Sequence, residues 1–148
     1  MSICDDLRQG HMKILEAIEG LSAEEMTQED SIGKWSVRDT LLHIAMWDGE
    51  AIKAFAVWRT GHEYDWTYAE EYLKLNDCWH DITKKLDINQ AIQAFNLNRN
   101  ALIADASSIS AETWEKRGGT PKWLTGIAIT HNEWHLKKLE DYRKTLSK

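Results

Sequence analysis

Apolar residues recur along this chain at steps of three and four, and strictly alternating segments are missing, so the pattern predicts helices throughout. Ile3, Leu7, His11, Ile14, Ile18 and Leu21 mark one face of a long first helix that ends between Gly20 and Ser22. A second start is signalled by Gly33-Lys34-Trp35-Ser36, with Ser36 as N-cap and Asp39 in the first turn, where the helix dipole favours an acid. Its apolar pattern runs from Val37 to Trp58, and Gly61 ends it. Residues 62–87 read as a loop, His62 to Trp66, followed by a shorter helix over Tyr68 to Lys84 that covers one end of the molecule. Asp87-Ile88-Asn89-Gln90 has capping-box form and opens a third long helix carrying Ala91, Ile92, Phe95, Leu102, Ala106 and Ile109. After a loop holding Gly118-Gly119, Thr120 supplies an N-cap and Pro121 the first helical position of a fourth helix reaching about Leu146. Each stripe must be buried against the others. The expected fold is therefore an all-α four-helix bundle with a short helical insertion between helices 2 and 3.

Composition narrows the classes. A chain of 148 residues, 43% hydrophobic, fits one domain over residues 1–148. At this size about 68–70% of the unfolded chain's surface is buried on folding. The net charge of −6, with no stripe of Lys or Arg, argues against a nucleic-acid partner. No run approaches the roughly 20 apolar residues of a membrane span. The segment Met1-Ser2-Ile3-Cys4-Asp5-Asp6 also lacks the basic flank and apolar stretch of a secretion signal, so a cytoplasmic location is expected. Cys4 and Cys78 are far apart and form no paired motif, which removes both a disulfide framework and a cysteine zinc site. Eight Trp are unusual in so short a chain and can line a cavity as well as fill a core.

The candidate chemistry lies where histidines interrupt apolar faces. On the fourth helix the core stripe reads Leu124, Ala128, His131, His135, Leu139, Tyr142 and Leu146. An unsatisfied polar group on such a face costs about 1–3 kcal/mol. Coordination of one ion would satisfy both rings together, because residues four apart share a helix face. The alternative is that each ring hydrogen-bonds a neighbour in the core. A catalytic metal site takes three protein ligands and leaves a position open. Spacing offers two candidates for the third: His43, in line with Thr40, Trp47, Ala51, Ala54 and Trp58 on the second helix, and His11 on the first. His62 and His80 read as surface or capping groups.

Asp48 and Arg99 also break apolar stripes and are expected to pair across the interior, since neither should be buried alone. The pair reads equally as a structural salt bridge or as an arginine holding an anionic substrate group. Together with His11 and Trp47, Asp48 and Arg99 are the candidates for substrate contact or for supporting the ligands. Glu133, between the two histidines, faces away from them, and the spacing is not the His-Glu-x-x-His of metalloproteases.

The segment Gly33-Lys34-Trp35-Ser36-Val37-Arg38-Asp39-Thr40-Leu41-Leu42-His43-Ile44-Ala45, followed by His131-x-x-x-His135, resembles the DinB-like superfamily. The resemblance implies a four-helix bundle, often homodimeric, with a metal held by one His of the second helix and two residues of the last. By that pattern His43, His131 and His135 are the ligands and His11 is not. Members include isomerases of the maleylpyruvate type and transferases that use bacillithiol, mycothiol or glutathione, some of them in detoxification. The expected function is thus a divalent-metal enzyme, with zinc or nickel suited to three imidazoles. It would transfer a low-molecular-weight thiol to a small electrophile. Its rivals are a metal-dependent hydrolase and a non-enzymatic protein that binds or sequesters a small molecule.

Overall fold

The computed structural model describes residues 2–148, which form an all-helical structure with no strand among them. Helix α1 (Ile3–Ile18) starts at Ser2, whose hydroxyl accepts the Asp5 N–H. A short helix α2 (Ala23–Thr27) follows, opened by a capping box between Ser22 and Glu25. Helix α3 (Val37–Trp58) is also set by a capping box: Ser36 Oγ accepts the Asp39 N–H and Asp39 Oδ2 accepts the Ser36 N–H, both at 3.1 Å. Gly61, at φ +88°, adopts the left-handed conformation that lets the chain leave α3 without steric cost.

The insertion is a 3₁₀ turn (Thr67–Glu71) running into α4 (Tyr72–Thr83), so its α-helical part starts later than Tyr68. Helix α5 (Ile88–Ser107) begins at the Asp87/Gln90 capping box. The next connection, expected as a loop, contains α6 (Ala111–Lys116), capped by Ser110.

The fourth long element departs from a continuous helix begun by a Thr120 cap. Pro121 itself is the N-cap of a single turn, α7 (Lys122–Thr125), and a π-helical turn (Gly126–Thr130) joins it to α8 (His131–Thr145). There the His131 N–H reaches back five residues to the Gly126 carbonyl. The apolar spacing of Leu124 and Ala128 hides this extra residue, because one wide turn preserves a helical look in the sequence.

The four long elements pack as a bundle, α3 most extensively on α5, with α1 between α5 and α8. The core has two apolar halves. One gathers Ile14, Leu41, Phe95 and Leu139; the other gathers Leu7, Phe55, Trp58, Leu102 and Leu124. Each long element, α8 taken with α7 and the π turn before it, contributes to both halves and carries a polar residue between its two contributions: His11 on α1, Asp48 on α3, Arg99 on α5 and Asn132 on α8. A polar waist thus crosses the bundle at mid-height, and the remaining histidine candidates, His43, His131 and His135, sit beside it. Among the described residues no helix is long and apolar enough to cross a membrane.

Candidate metal centre

The cap at Ser36 fixes the phase of α3, which places His43 two turns into the helix and Trp47 one turn beyond it on the same face. His131 and His135 come from the first turns of α8, immediately after the π turn. The three Nε2 atoms converge: His131 Nε2 is 2.9 Å from that of His43 and 2.8 Å from that of His135. All three rings offer donor atoms within 4.8 Å of one another. His43 and His135 are buried and His131 half-buried.

Hydrogen bonding cannot satisfy this cluster. A neutral imidazole has one N–H and one lone pair, so the single Nε2 of His131 can serve one of its two neighbours. A cation would accept all three lone pairs at once. Zinc–nitrogen bonds of about 2.0–2.1 Å at tetrahedral angles separate donors by about 3.3 Å, so the His43–His131 and His131–His135 spacings need to open by only a few tenths of an ångström. The residues present therefore fit a divalent ion.

The rings are held in the neutral, donor form. Burial lowers His135 to about 2, helped by the neighbouring His131, His43 and Lys138. Burial and then His131 lower His43 to about 3. His131 falls to about 4 through burial, with the Ile127 carbonyl pulling upward and the Arg99 charge downward. Because these values lie below the ordinary 6.5, the unfolded chain binds more protons than the folded one at any pH between. Stability of the metal-free protein should be insensitive to these groups above pH ~6.5 and should fall as pH drops from there toward 4. Urea midpoints between pH 7 and pH 5 test this, and an unchanged midpoint contradicts three buried neutral rings.

Aromatic side chains enclose the cluster. Trp35 lies against His43 with ring centroids 4.5 Å apart and reaches toward His135 at 6.3 Å, and Trp134 meets the His135 ring edge at 4.9 Å. Above the imidazoles opens a groove of about 940 Å³, walled by Trp35, Trp47, Trp134 and the α4 residues Tyr72 and Leu73. That volume is in the range of small-molecule sites, about 300–1,000 Å³.

The other candidates lie elsewhere. His11 is on the bundle interior, its Nε2 2.7 Å from Asn96 Oδ1 and its ring edge on Phe95, away from the three converging rings. Trp47 lines the groove and donates from Nε1 to Asn76 Oδ1 at 2.9 Å, which ties α4 to α3. Arg99 donates from Nε and Nη2 to the two Asp48 oxygens at 2.7 and 3.0 Å, and from Nη1 to the Ala128 carbonyl at 3.3 Å. Both side chains of this pair are fully buried and neither lines the groove. The guanidinium is therefore committed to the core rather than open to a ligand. Burial pushes the Asp48 carboxyl up against the opposing pull of Arg99. Glu133 is exposed, His62 is exposed beside Thr60, and His80 stands 3.5 Å from Asp39 Oδ1 at the base of α4.

Two groups escaped the sequence pattern. Trp35 precedes its helix in a tight turn closed by Ile32 and Trp35 backbone bonds, so no periodicity marks it. Asn132 is 2% exposed and bonds the Gly10 carbonyl at 3.4 Å, where α1 and α8 pass so closely that a Cβ on Gly10 would meet Asn132 Nδ2 at 3.0 Å. The π turn brings it inward, and nothing in a 3.6-residue repeat announces that.

A family model for the DinB superfamily matches residues 6–138. No curated protein and no solved structure gives a significant match.

Proposed function

The chain belongs to the DinB superfamily, and from that premise we propose that it is a divalent-metal-dependent transferase that places a low-molecular-weight thiol on a small electrophile. The ligands in this reading are His43, His131 and His135. The observation that carries it is the convergence of three neutral Nε2 donors at the floor of an open aromatic groove.

Three protein donors leave a coordination position free, as catalytic rather than structural sites do. When bound, such an ion lowers the pKa of a coordinated thiol so far that the nucleophile is present as thiolate at neutral pH. The residues of the chain do the rest. The imidazoles stay unprotonated because burial holds them so, which keeps the donor set intact well below neutral pH. Trp35 and Trp134 shield one side of the cluster from water and leave an apolar wall against which an electrophile can lie. Trp47, locked to Asn76, fixes the part of the wall where α4 meets α3.

A three-histidine ion can ionise water as well as a thiol without a protein base, so thiol transfer is read ahead of hydrolysis on the resemblance and on the aromatic groove, whose walls suit the apolar body of an electrophile.

The test loads metal-free protein with zinc or nickel and assays model electrophiles with and without each candidate thiol. Turnover should require both the ion and a thiol. Full turnover without thiol supports the hydrolase, and saturable capture of the electrophile with no turnover supports the non-enzymatic reading.

A further inference from the structure

On α8 the ligand face continues past the metal centre. His131, His135 and Lys138 succeed one another at steps of four and three, so Lys138 stands on the same face one turn beyond His135. Its ammonium sits 4.0 Å from the centroid of the Trp134 ring and lines the groove. The neighbouring Lys137 behaves differently, pairing with Asp141 at 3.4 Å on the outer surface. Lys138 has no carboxylate partner among the described residues, and neither has Lys34, the other ammonium lining the groove. In a chain of net charge −6, a groove with two unpaired lysines and one carboxylate, Asp77, is locally cationic. Around it Trp134, Tyr72 and Leu73 are 57%, 53% and 67% exposed, a large apolar surface left to water.

We infer that the groove binds an aromatic carboxylate. Its flat apolar body lies on Trp134 and the α4 side chains, and its anion is held by Lys138, with Lys34 adding charge from elsewhere on the groove lining. One helical turn is a rise of about 5 Å, so an anion at Lys138 leaves the far end of a single-ring ligand above the three imidazoles. The inference rests on the reading of the groove as the substrate site, and it names the substrate class without depending on which reaction follows.

Four probes separate the two claims: 4-(mercaptomethyl)benzoate, its carboxamide, and the thiol-free pair 4-methylbenzoate and 4-methylbenzamide. Affinities are read on the zinc-loaded protein by quenching of tryptophan fluorescence. Each carboxylate should bind at least about fivefold more tightly than its amide, the effect of a half-buried ion pair. In Lys138→Met that preference should vanish while amide affinities stay within about twofold, and Lys34→Met should reduce it in part. Equal affinities within both pairs overturn the inference, as does failure of all four to bind. A preference that survives in the Lys34→Met/Lys138→Met double variant overturns it too, since the carboxylate is then on the ion. Equal affinities together with binding that weakens as protein concentration rises assign the groove to a second copy of the chain. Comparison of thiol with methyl probes reports separately on the transferase reading, which fails if the thiols bind no more tightly.

Discussion

Replacing His135 with alanine is expected to weaken binding of zinc or nickel by more than about a hundredfold, since loss of a mere hydrogen-bond partner of a ligand already costs 10–100-fold. His135 is the best test of the three because it is 2% exposed and its Nε2 is 2.8 Å from that of His131, so no water-filled detour can replace it cheaply. The metal-free stability should move far less. The substitution leaves a cavity, but it also removes a ring whose Nδ1 is buried without a partner and whose Nε2 competes for His131. What should disappear is the stabilisation by metal, about 2.7 kcal/mol for the unsubstituted protein at a free ion concentration a hundred times Kd. Thermal unfolding with and without added ion measures it, alongside thiol-dependent turnover. A metal-dependent rise in Tm, or turnover in verified metal-free His135→Ala protein, would remove the three-histidine mechanism.

The second large effect concerns the core rather than the ligands. Arg99→Met should destabilise the protein by about 3–5 kcal/mol, because it strands the Asp48 carboxylate in a site with no access to water. Truncating both partners, as Asp48→Leu/Arg99→Met, should recover most of that loss, since a buried pair replaced by packed apolar groups is often neutral. Denaturant midpoints of the two single variants and the double give the coupling directly. If the single variants cost less than about 1 kcal/mol, the pair is not held in the dry interior that its contacts imply. Substrate affinity of the folded double variant offers an independent reading. It should be little changed, because Arg99 does not line the groove.

These two expectations were legible in the sequence to different degrees. His131 and His135 stand on an apolar stripe at helical spacing, and Asp48 and Arg99 interrupt two others, so periodicity alone exposed all four. His43 sat at the margin of a broad apolar arc and was indistinguishable by spacing from His11. The resemblance to a family favoured His43, and it is the His43 ring that meets His131. Capping chemistry located the starts of α3 and α5 to the residue, because Ser36/Asp39 and Asp87/Gln90 carry their partners within three positions. The short helices α2 and α6 were missed although Ser22-x-x-Glu25 offered the same signal, since five and six residues give periodicity too little length to register. Trp35 and Asn76 matter through contacts with other elements, and a linear pattern carries no trace of those; Lys138 continues the spacing of His131 and His135 but gains its meaning only from the groove.

The wide turn at Gly126–Thr130 makes the spacing between α7 and α8 a discrete setting with two demands on it. Leu124, fully buried, must face the half of the core around Phe55, while His131 and His135 must face His43. Each residue of an α-helix advances the azimuth by about 100°, and the wide turn already absorbs one residue more than an α turn holds, so a deletion inside it lets the turn close to α geometry with both faces kept, whereas an insertion would swing α7 by roughly that angle against a fixed α8. Leu124 would be carried out of its socket with the imidazoles untouched, or the imidazoles turned away with Leu124 in place. Side-chain substitutions here are consequently graded in their effect, whereas length is constrained in one direction: the segment between residues 124 and 131 can give up its one surplus residue and cannot take in another.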